Sequence, residues 1–450
     1  MPEDLTVLVF DPGARGHAIS DAYERSRRVK KIIVASGNDF IGFRRRKEVI
    51  VDKDCDLKNI DSMCAIAERY RPDLIDVAQD DAIATGVGDT LRDRGFTVFC
   101  PSQQAAQIEW DKVWSREFMA RHGISIPEFH AFSAPRLAEK FLDEFYGEDP
   151  HRVAFVKAAG LAAGKGALKA SSYQQAVACV RRMSMFRDAG RSFLIEKALA
   201  GQEFSYTVIA DGTGAYRAFI PAQDYKLAHV FDEGGQTGGM GTVAPTHVID
   251  PIPTNVMQAE LVEKALEGMS AEGRPYKGIL YVGGMRVVDQ HSLCGYKPYC
   301  IEYNARWGDP EAQVVLPGVN DYAEMVLAAT KGRLDQTTLE QDGLYRVCLV
   351  GALRGYPGDY RAALGKRIYG LEEVMYKKGV RVFGAAILID GKFYANGGRL
   401  FSIVGEGLNL LDASGYAYEA MAQIYIEGNN LQYRTDIGWQ DRENFLRMME

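Results

Sequence analysis

Val153-Ala154-Phe155-Val156-Lys157 runs into Ala158-Ala159-Gly160-Leu161-Ala162-Ala163-Gly164-Lys165-Gly166 and then Ala167-Leu168-Lys169-Ala170. Apolar residues on both sides read as two strands. The glycines between them let backbone amides approach phosphate oxygens, and Lys165 supplies a point charge. A Walker-type phosphate loop needs Ser or Thr after its lysine and a helix beyond, whereas here Gly166 follows and strand-like residues come next, which excludes a kinase or GTPase loop. Strand, glycine loop and strand instead make a flap that closes over a triphosphate and keeps water out. The same pattern also fits a plain surface hairpin, so other stretches must decide.

Three do. In Phe193-Leu194-Ile195-Glu196-Lys197-Ala198-Leu199 an apolar strand delivers Glu196 and a backbone turn at Leu199, a way to read an adenine edge, with Glu203 shortly after. Alone it would equally be an edge strand with solvated charges. In Ile301-Glu302-Tyr303-Asn304 the period of two places Glu302 and Asn304 on one strand face and Ile301 and Tyr303 on the other. Two oxygen ligands from one rigid strand, completed by phosphate and water, suit Mg²⁺. A solvated sheet face is the plain alternative, but Ala305-Arg306-Trp307-Gly308-Asp309-Pro310-Glu311-Ala312-Gln313 follows at once, a group of charge-handling residues at a strand end. Third, Gly234-Gly235-Gln236-Thr237-Gly238-Gly239-Met240-Gly241 is too glycine-rich for a regular element and suits a carboxylate or phosphate held by backbone amides, or else a mobile loop.

Around this centre, 450 residues exceed what one core organises, so two to four units are expected. Thr6–Phe10, a turn at Gly13 to Gly16, a helix over about 17–28 and a strand over 31–35 form a βαβ unit. A helix at 60–70, a strand at 74–78, a helix at 87–94 and a strand at 97–99 extend it into an open parallel sheet. Residues 104–122 read as a helix. Strands over 345–351, 380–389 and 391–395 with a helix over 413–426 make a C-terminal unit. The composition, 47% apolar and 25% charged, is that of a globular chain, and a net charge of −7 argues against gripping nucleic acid. The basic run Arg44-Arg45-Arg46-Lys47 reads as a solvated face. Seven scattered cysteines without metal spacing read as reduced thiols, and an acidic N-terminus with no long apolar stretch predicts a cytoplasmic protein with no signal peptide and no membrane partner.

The ordered set Lys157 to Gly166, Glu196 to Glu203, Gln223-Asp224-Tyr225-Lys226, Thr237-Gly238-Gly239-Met240-Gly241 and Glu302-x-Asn304-x-Arg306-x-Gly308-Asp309-Pro310-Glu311 resembles phosphoribosylamine–glycine ligase, also called glycinamide ribonucleotide synthetase. Ala105-Ala106-Gln107-Ile108-Glu109 to Lys112, Gly355-Tyr356-Pro357-Gly358, Asn396-Gly397-Gly398-Arg399 and Tyr433-Arg434-Thr435-Asp436-Ile437-Gly438 extend the resemblance over nearly the whole chain. It implies a fold of the α/β and α+β classes, in three parts. These are an N-terminal open parallel α/β domain (1–102), a central ATP-grasp domain (103–335, mobile lid about 124–192) and a small mixed C-terminal domain (336–450). By the same resemblance Lys112, Lys157 and Lys165, with Gly164 and Gly166, hold the ATP phosphates. Glu196 and the Leu199 backbone take the adenine and Glu203 the ribose, while Glu302 and Asn304 bind Mg²⁺ or Mn²⁺. Arg306, Asp309, Asp224 and Lys226 are the catalytic set. Gly13, Arg15, Gly16, His17, Thr237, Gly238, Gly239, Met240, Gly308 and Pro310 face glycine and phosphoribosylamine, in a monomer or homodimer.

The family pattern is not followed everywhere. Its Arg-Glu-His is Arg15-Gly16-His17 here, its Gly-Pro-Glu is Gln79-Asp80-Asp81, its Asp-His-Lys is Asp224-Tyr225-Lys226, and Gln236 precedes Thr237 in place of asparagine. Ala159 stands for an aspartate and Gly384 for a histidine. These positions read as substrate-facing, which keeps two other functions open: a paralogous ligase with a different amino acid or amine, and a nucleotide-binding regulator without turnover.

Overall fold

The computed structural model describes residues 4–162 and 166–443. Its first sheet is built from β1 (Leu5–Phe10), β2 (Val29–Ala35), β3 (Glu48–Asp52), β4 (Leu74–Val77) and β5 (Val98–Phe99), in the order β3-β2-β1-β4-β5 and parallel throughout. Val7, Leu8, Val9 and Phe10 are fully buried, as expected of a parallel sheet covered on both faces. The strand order reverses between β1 and β4. Their carboxyl ends therefore flank a crevice, into which the loops at Asp11–Gly16 and Ala78–Asp81 lead. Here β3 escaped the sequence reading, as did the helix Asp80–Thr85, which at six residues is too short for helical periodicity to register.

The segment 104–122 is not one helix. It breaks at Asp111, whose carboxylate accepts the Trp114 amide at 3.1 Å and so caps a new helix, Lys112–Arg121. The Lys112 amide donates to the Ala159 carbonyl at 2.8 Å, which ties the helix start to the flap. The flap strands Ala154–Ala158 and Ala167–Ala170 pair antiparallel as expected, with Lys157 opposite Ala167, in a sheet completed by Phe129–Phe132 and Phe193–Lys197. A second antiparallel sheet runs Tyr216–Ala218, Gly201–Asp211, Lys277–Val288, Tyr296–Asn304.

The third sheet draws on distant parts of the chain. Gln223–Asp224 and Gly241–Ala244 join Tyr345–Leu353, Arg399–Gly407 and Val380–Gly384, so the segment carrying Asp224 is clamped onto C-terminal strands. The expected strand 380–389 splits, with Ile387–Ile389 pairing in a separate sheet with Phe393–Ala395. Gly234 to Gln236, expected to be irregular, belong to a strand paired with Leu227–His229. Cross-strand hydrogen bonds override the poor strand propensity of glycine there. The basic run is not merely solvated, since Arg45 pairs with Glu24 at 3.2 Å and Arg44 reaches Tyr376 and Glu372.

A polar thread joins the first sheet to the central part. Asp76 on β4 accepts the Tyr23 hydroxyl at 2.7 Å and lies 3.5 Å from that of Tyr322, whose oxygen in turn accepts the Trp307 indole N–H at 3.0 Å. Burial pushes the Asp76 carboxyl up to about 7, against the pull of the Tyr23 hydrogen bond. A carboxyl raised above its unfolded value contributes stability below about pH 4 and loses it as pH rises toward 7. Asp76→Asn should therefore stabilise the protein at pH 8 by on the order of 2–4 kcal/mol, with the difference shrinking toward zero at pH 4. Urea unfolding at the two pH values measures this, and an equal effect at both would rule out the titration.

Candidate active site

A cavity of about 160 Å³ opens where the strand Tyr296–Asn304 ends, lined among others by Glu302, Asn304, Arg306, Gly308, Asp309, Lys112, Asp224, Lys226, Thr237, Gly238 and Gly166. The fold thus gathers the predicted metal pair, the predicted catalytic set and part of the phosphate set in one place. A smaller cavity adjoins it, lined by Lys157 and Glu196 together with Lys112 and Glu302. Gly164 and Lys165 lie outside the described residues.

Strand geometry explains the metal pair, with one correction. Gly283 faces Glu302 while Gly284 faces Cys300, so Ile301 is the extra residue of a bulge. Tyr303 turns its hydroxyl to the Leu261 carbonyl at 2.5 Å, yet both Ile301 and Tyr303 help to line the smaller cavity beside Glu302. Burial alone would raise the Glu302 carboxyl. Lys226, Lys112, Lys157 and Arg306 overturn this and hold it at about 2, so it stays an oxygen anion at any working pH. An ionised carboxylate and a buried amide oxygen, with room for phosphate and water, fit the coordination habits of Mg²⁺.

Arg306 and Lys226 have carboxylate neighbours within the site. Arg306 pairs with Glu109 at 2.8 Å and donates to the Trp307 carbonyl at 3.1 Å, and Glu109 also accepts the Ala305 amide at 2.7 Å. Lys226 stands 3.8 Å from the exposed Glu203. Burial would lower the Lys226 ammonium, but Glu203, Tyr281, Glu302 and Asp224 raise it well above its usual range. Asp224 presents a buried oxygen with no hydrogen-bond partner, and burial and the neighbouring Glu311 push its carboxyl well up. Glu311 accepts the Ser205 hydroxyl at 2.8 Å and that of Tyr281 at 2.7 Å.

Other expected site residues are partnered within the protein. The two Glu196 oxygens pair with Arg116 and Lys157, each at 2.6 Å. Burial opposes ionisation there, yet the two cations keep the carboxyl at about 2. Leu199 is half-buried in the connection to the next sheet. The amides of the 237–240 loop are engaged within the protein: Thr237 to the Lys226 carbonyl (2.8 Å), Gly238 to the Tyr356 hydroxyl (3.4 Å), Gly239 to the Thr237 hydroxyl (3.0 Å) and Met240 to the Tyr225 carbonyl (2.8 Å). Met240 is fully buried beneath the loop, and Pro310 packs against Gly239.

The N-terminal loop is likewise occupied. Asp11 accepts the amides of Gly13 (2.9 Å) and Gly16 (3.0 Å) and pairs with Arg15 at 2.5 Å, while Arg15 also donates to the Trp307 carbonyl at 3.1 Å. His17 faces away from the cavity, its Nδ1 accepting the Gly384 amide at 2.9 Å between Phe40 and Phe383. Burial keeps this imidazole well below its usual range, hence neutral.

Most departures from the family pattern do not line the cavity. The Tyr225 ring is buried in the C-terminal core, its hydroxyl on Gln223 at 3.0 Å, because strand alternation turns it opposite to Asp224 and Lys226. Phe40 fills the space beside Gly384, Ala159 packs at the flap base, and Gln79 caps the helix Asp80–Thr85 through the Ala82 amide at 2.8 Å. Only Asp80 and Gln236 of the departing positions line the cavity. Glu109, Arg116 and Arg399, which anchor the site, carried no assigned role from sequence. An acid and a base far apart in a chain announce no pairing.

The phosphoribosylglycinamide synthetase models match in series: the N domain over 5–109, the ATP-grasp (A) domain over 110–312 and the C domain over 346–440. The chain belongs to the phosphoribosylglycinamide synthetase family. It is 35% identical over 446 residues to the phosphoribosylamine–glycine ligase of Caulobacter vibrioides, covering 97% of this chain and 99% of that one. The corresponding ligase of Escherichia coli K12 is 34% identical over 445 residues, covering 97% and 98%. The chain is 33% identical over 439 residues to the trifunctional purine biosynthetic protein adenosine-3 of Drosophila pseudoobscura, and it spans about a third of that protein's length (31%) against 96% of its own. Among solved structures, the phosphoribosylamine–glycine ligase of Thermotoga maritima superposes with a TM-score of 0.77 at 26% identity, covering 96% of this chain and all of that one. The biotin carboxylase domain of Hydrogenobacter thermophilus 2-oxoglutarate carboxylase, a MgADP complex, shares the fold at TM-score 0.69 and 14% identity, covering 96% and 92%.

Gly16, where the family usually has glutamate, cannot simply be restored here. A Cβ at Gly16 would lie 2.2 Å from the Asp11 carbonyl oxygen, a backbone contact that no rotamer relieves. Gly16→Ala and Gly16→Glu should both destabilise the protein, by about 1–3 kcal/mol, whatever they do to substrate affinity. Thermal unfolding of the two variants tests this, and wild-type stability in Gly16→Ala would show the loop to be adaptable.

Proposed function

We propose that the protein joins the carboxylate of glycine to the amine of phosphoribosylamine at the expense of ATP, releasing ADP and phosphate by way of glycyl phosphate, in purine biosynthesis in the cytoplasm. The observation that carries this is the single cavity holding Glu302, Asn304, Arg306, Asp309, Asp224 and Lys226, reached on one side by Lys112 and Gly166. A carboxylate is a poor electrophile. Phosphorylation turns its oxygen into a leaving group, which an aligned amine displaces with release of phosphate.

In this reading Lys112 and Lys157 hold the triphosphate, and Arg306 and Lys226 stabilise charge on the transferring phosphoryl group. Glu302 and Asn304 would hold Mg²⁺, or Mn²⁺ in its place, which when bound neutralises phosphate charge and orients the terminal phosphoryl. With the 237–240 amides engaged, the substrate carboxylate falls to Arg306 and Lys226 instead. Glu203, exposed beside Lys226, remains the candidate for the ribose, and the Leu199 backbone for the adenine. Asp224, with its unpartnered oxygen, faces the amine groups.

A second reading is favoured by one observation. Asp11 satisfies the Gly13 and Gly16 amides and Arg15 from within, which leaves less for a ribose phosphate at that loop and suits a ligase acting on another amine. Product analysis separates the readings. Enzyme given ATP, Mg²⁺, glycine and phosphoribosylamine should yield ADP, phosphate and the glycinamide product; turnover with some other amine alone supports the second, and AMP with pyrophosphate excludes both. Glu302→Ala should retain the fold yet lose at least about 100-fold in kcat. Near-normal turnover of that variant would remove Glu302 from the metal site.

A further inference from the structure

We propose that Arg399, on the first residue of a C-terminal strand, is a positioning residue that sets the shape of the acyl-transfer end of the cavity from behind. The proposal rests on the ligase reading above but is carried by geometry. Arg399 opens the strand Arg399–Gly407, and its guanidinium crosses to two segments of the cavity wall. One Nη donates to the carbonyls of Gly238 (2.7 Å), Gly239 (3.2 Å) and Asp309 (3.2 Å). The other meets the Asp309 carboxylate at 2.6 Å.

Gly238 and Asp309 line the cavity, and Arg399 is not among the lining residues. The contact is close on both sides. A Cβ at Gly238 would lie 2.9 Å from the guanidinium, so the glycine-rich loop packs directly on it. The second Asp309 oxygen is taken by Gln313 at 2.5 Å, which leaves the carboxylate no freedom to turn once Arg399 is in place. Burial opposes ionisation of Asp309, and Arg399 is the strongest of the cations that keep it charged.

A planar guanidinium can serve three carbonyls and a carboxylate in one fork, whereas a lysine ammonium is a compact point charge on a flexible stem and cannot span them all. The loop does not depend on Arg399 for its attachment, since Thr237 and Met240 are bonded to the Lys226 and Tyr225 carbonyls. Loss of the guanidinium should loosen the wall while the fold persists. The nucleotide end, built on Lys112, Lys157 and Glu302, makes no contact with Arg399.

The test compares full-length wild type, Arg399→Ala, Arg399→Lys and Asp309→Asn. Arg399→Ala should raise the KM for glycine or lower kcat by about 10- to 100-fold while the affinity for Mg-ADP, measured by calorimetry, stays within about twofold. Arg399→Lys should recover little of this, and Arg399→Ala placed on Asp309→Asn should cost much less than on wild type, because the two act as a unit. Independently of turnover, amide exchange over residues 236–241 and 307–311 should quicken in Arg399→Ala and not elsewhere. If wild type turns over no glycine, the ligase reading fails and the exchange measurement still decides the role of Arg399. Unchanged exchange in both segments, full rescue by lysine, or equal loss of nucleotide and glycine binding would overturn the proposal.

Discussion

A buried charge is tolerable only with its partner in place, and the cavity of this protein is assembled from such partnerships between distant segments. Glu109, in the link after the first sheet, holds Arg306. Arg116 and Lys157 share Glu196, and Arg399 of the C-terminal sheet holds Asp309. Lys157 and Glu196 pair within one sheet, whereas Glu109 with Arg306 and Arg399 with Asp309 tie the loop after the strand Tyr296–Asn304 to other parts of the chain. The Glu302 carboxylate, held ionised by the surrounding cations, lines the cavity together with Lys112.

This accounting changes how glycine-rich loops should be viewed here. The Gly13–Gly16 and Thr237–Gly241 stretches have the composition of anion cradles, yet their amides bond to Asp11, to main-chain carbonyls and to hydroxyl groups. Glycine at Gly16 and Gly239 answers to crowding: a side chain would meet the Asp11 main chain in the first case and Pro310 and Asp224 in the second. In the proposed reaction, anion binding at these two stretches falls to side chains, which salt bridges can aim.

The third sheet gives the C-terminal part a direct hold on chemistry. Strand Gly241–Ala244 lies beside Tyr345–Leu353, and Gln223–Asp224 lies beside Gly241–Ala244, so the strand that carries Asp224 is registered by C-terminal hydrogen bonds. His17, Asn38 and Gly384 tie the first sheet to the same region, with Asn38 donating to the Gly384 carbonyl at 2.9 Å. The cavity is lined by the first two parts of the chain and backed by the third, through Arg399 on Asp309.

Sequence by itself determined the local facts. The parallel first sheet follows from unbroken apolar runs, the flap hairpin from strands on either side of Gly160 to Gly166, and the outlook of Glu302 and Asn304 from alternation along one strand. The ordered motifs were enough to indicate the family. Only the tertiary structure decided which polar groups were free. Glu196 is paired with Arg116 and Lys157, alternation turns Tyr225 into the core, and Arg399 meets Asp309. The physical reason is that hydrogen-bond and ion-pair satisfaction is a property of neighbours in space, and residues far apart in the chain leave no periodicity or spacing by which their pairing can be read.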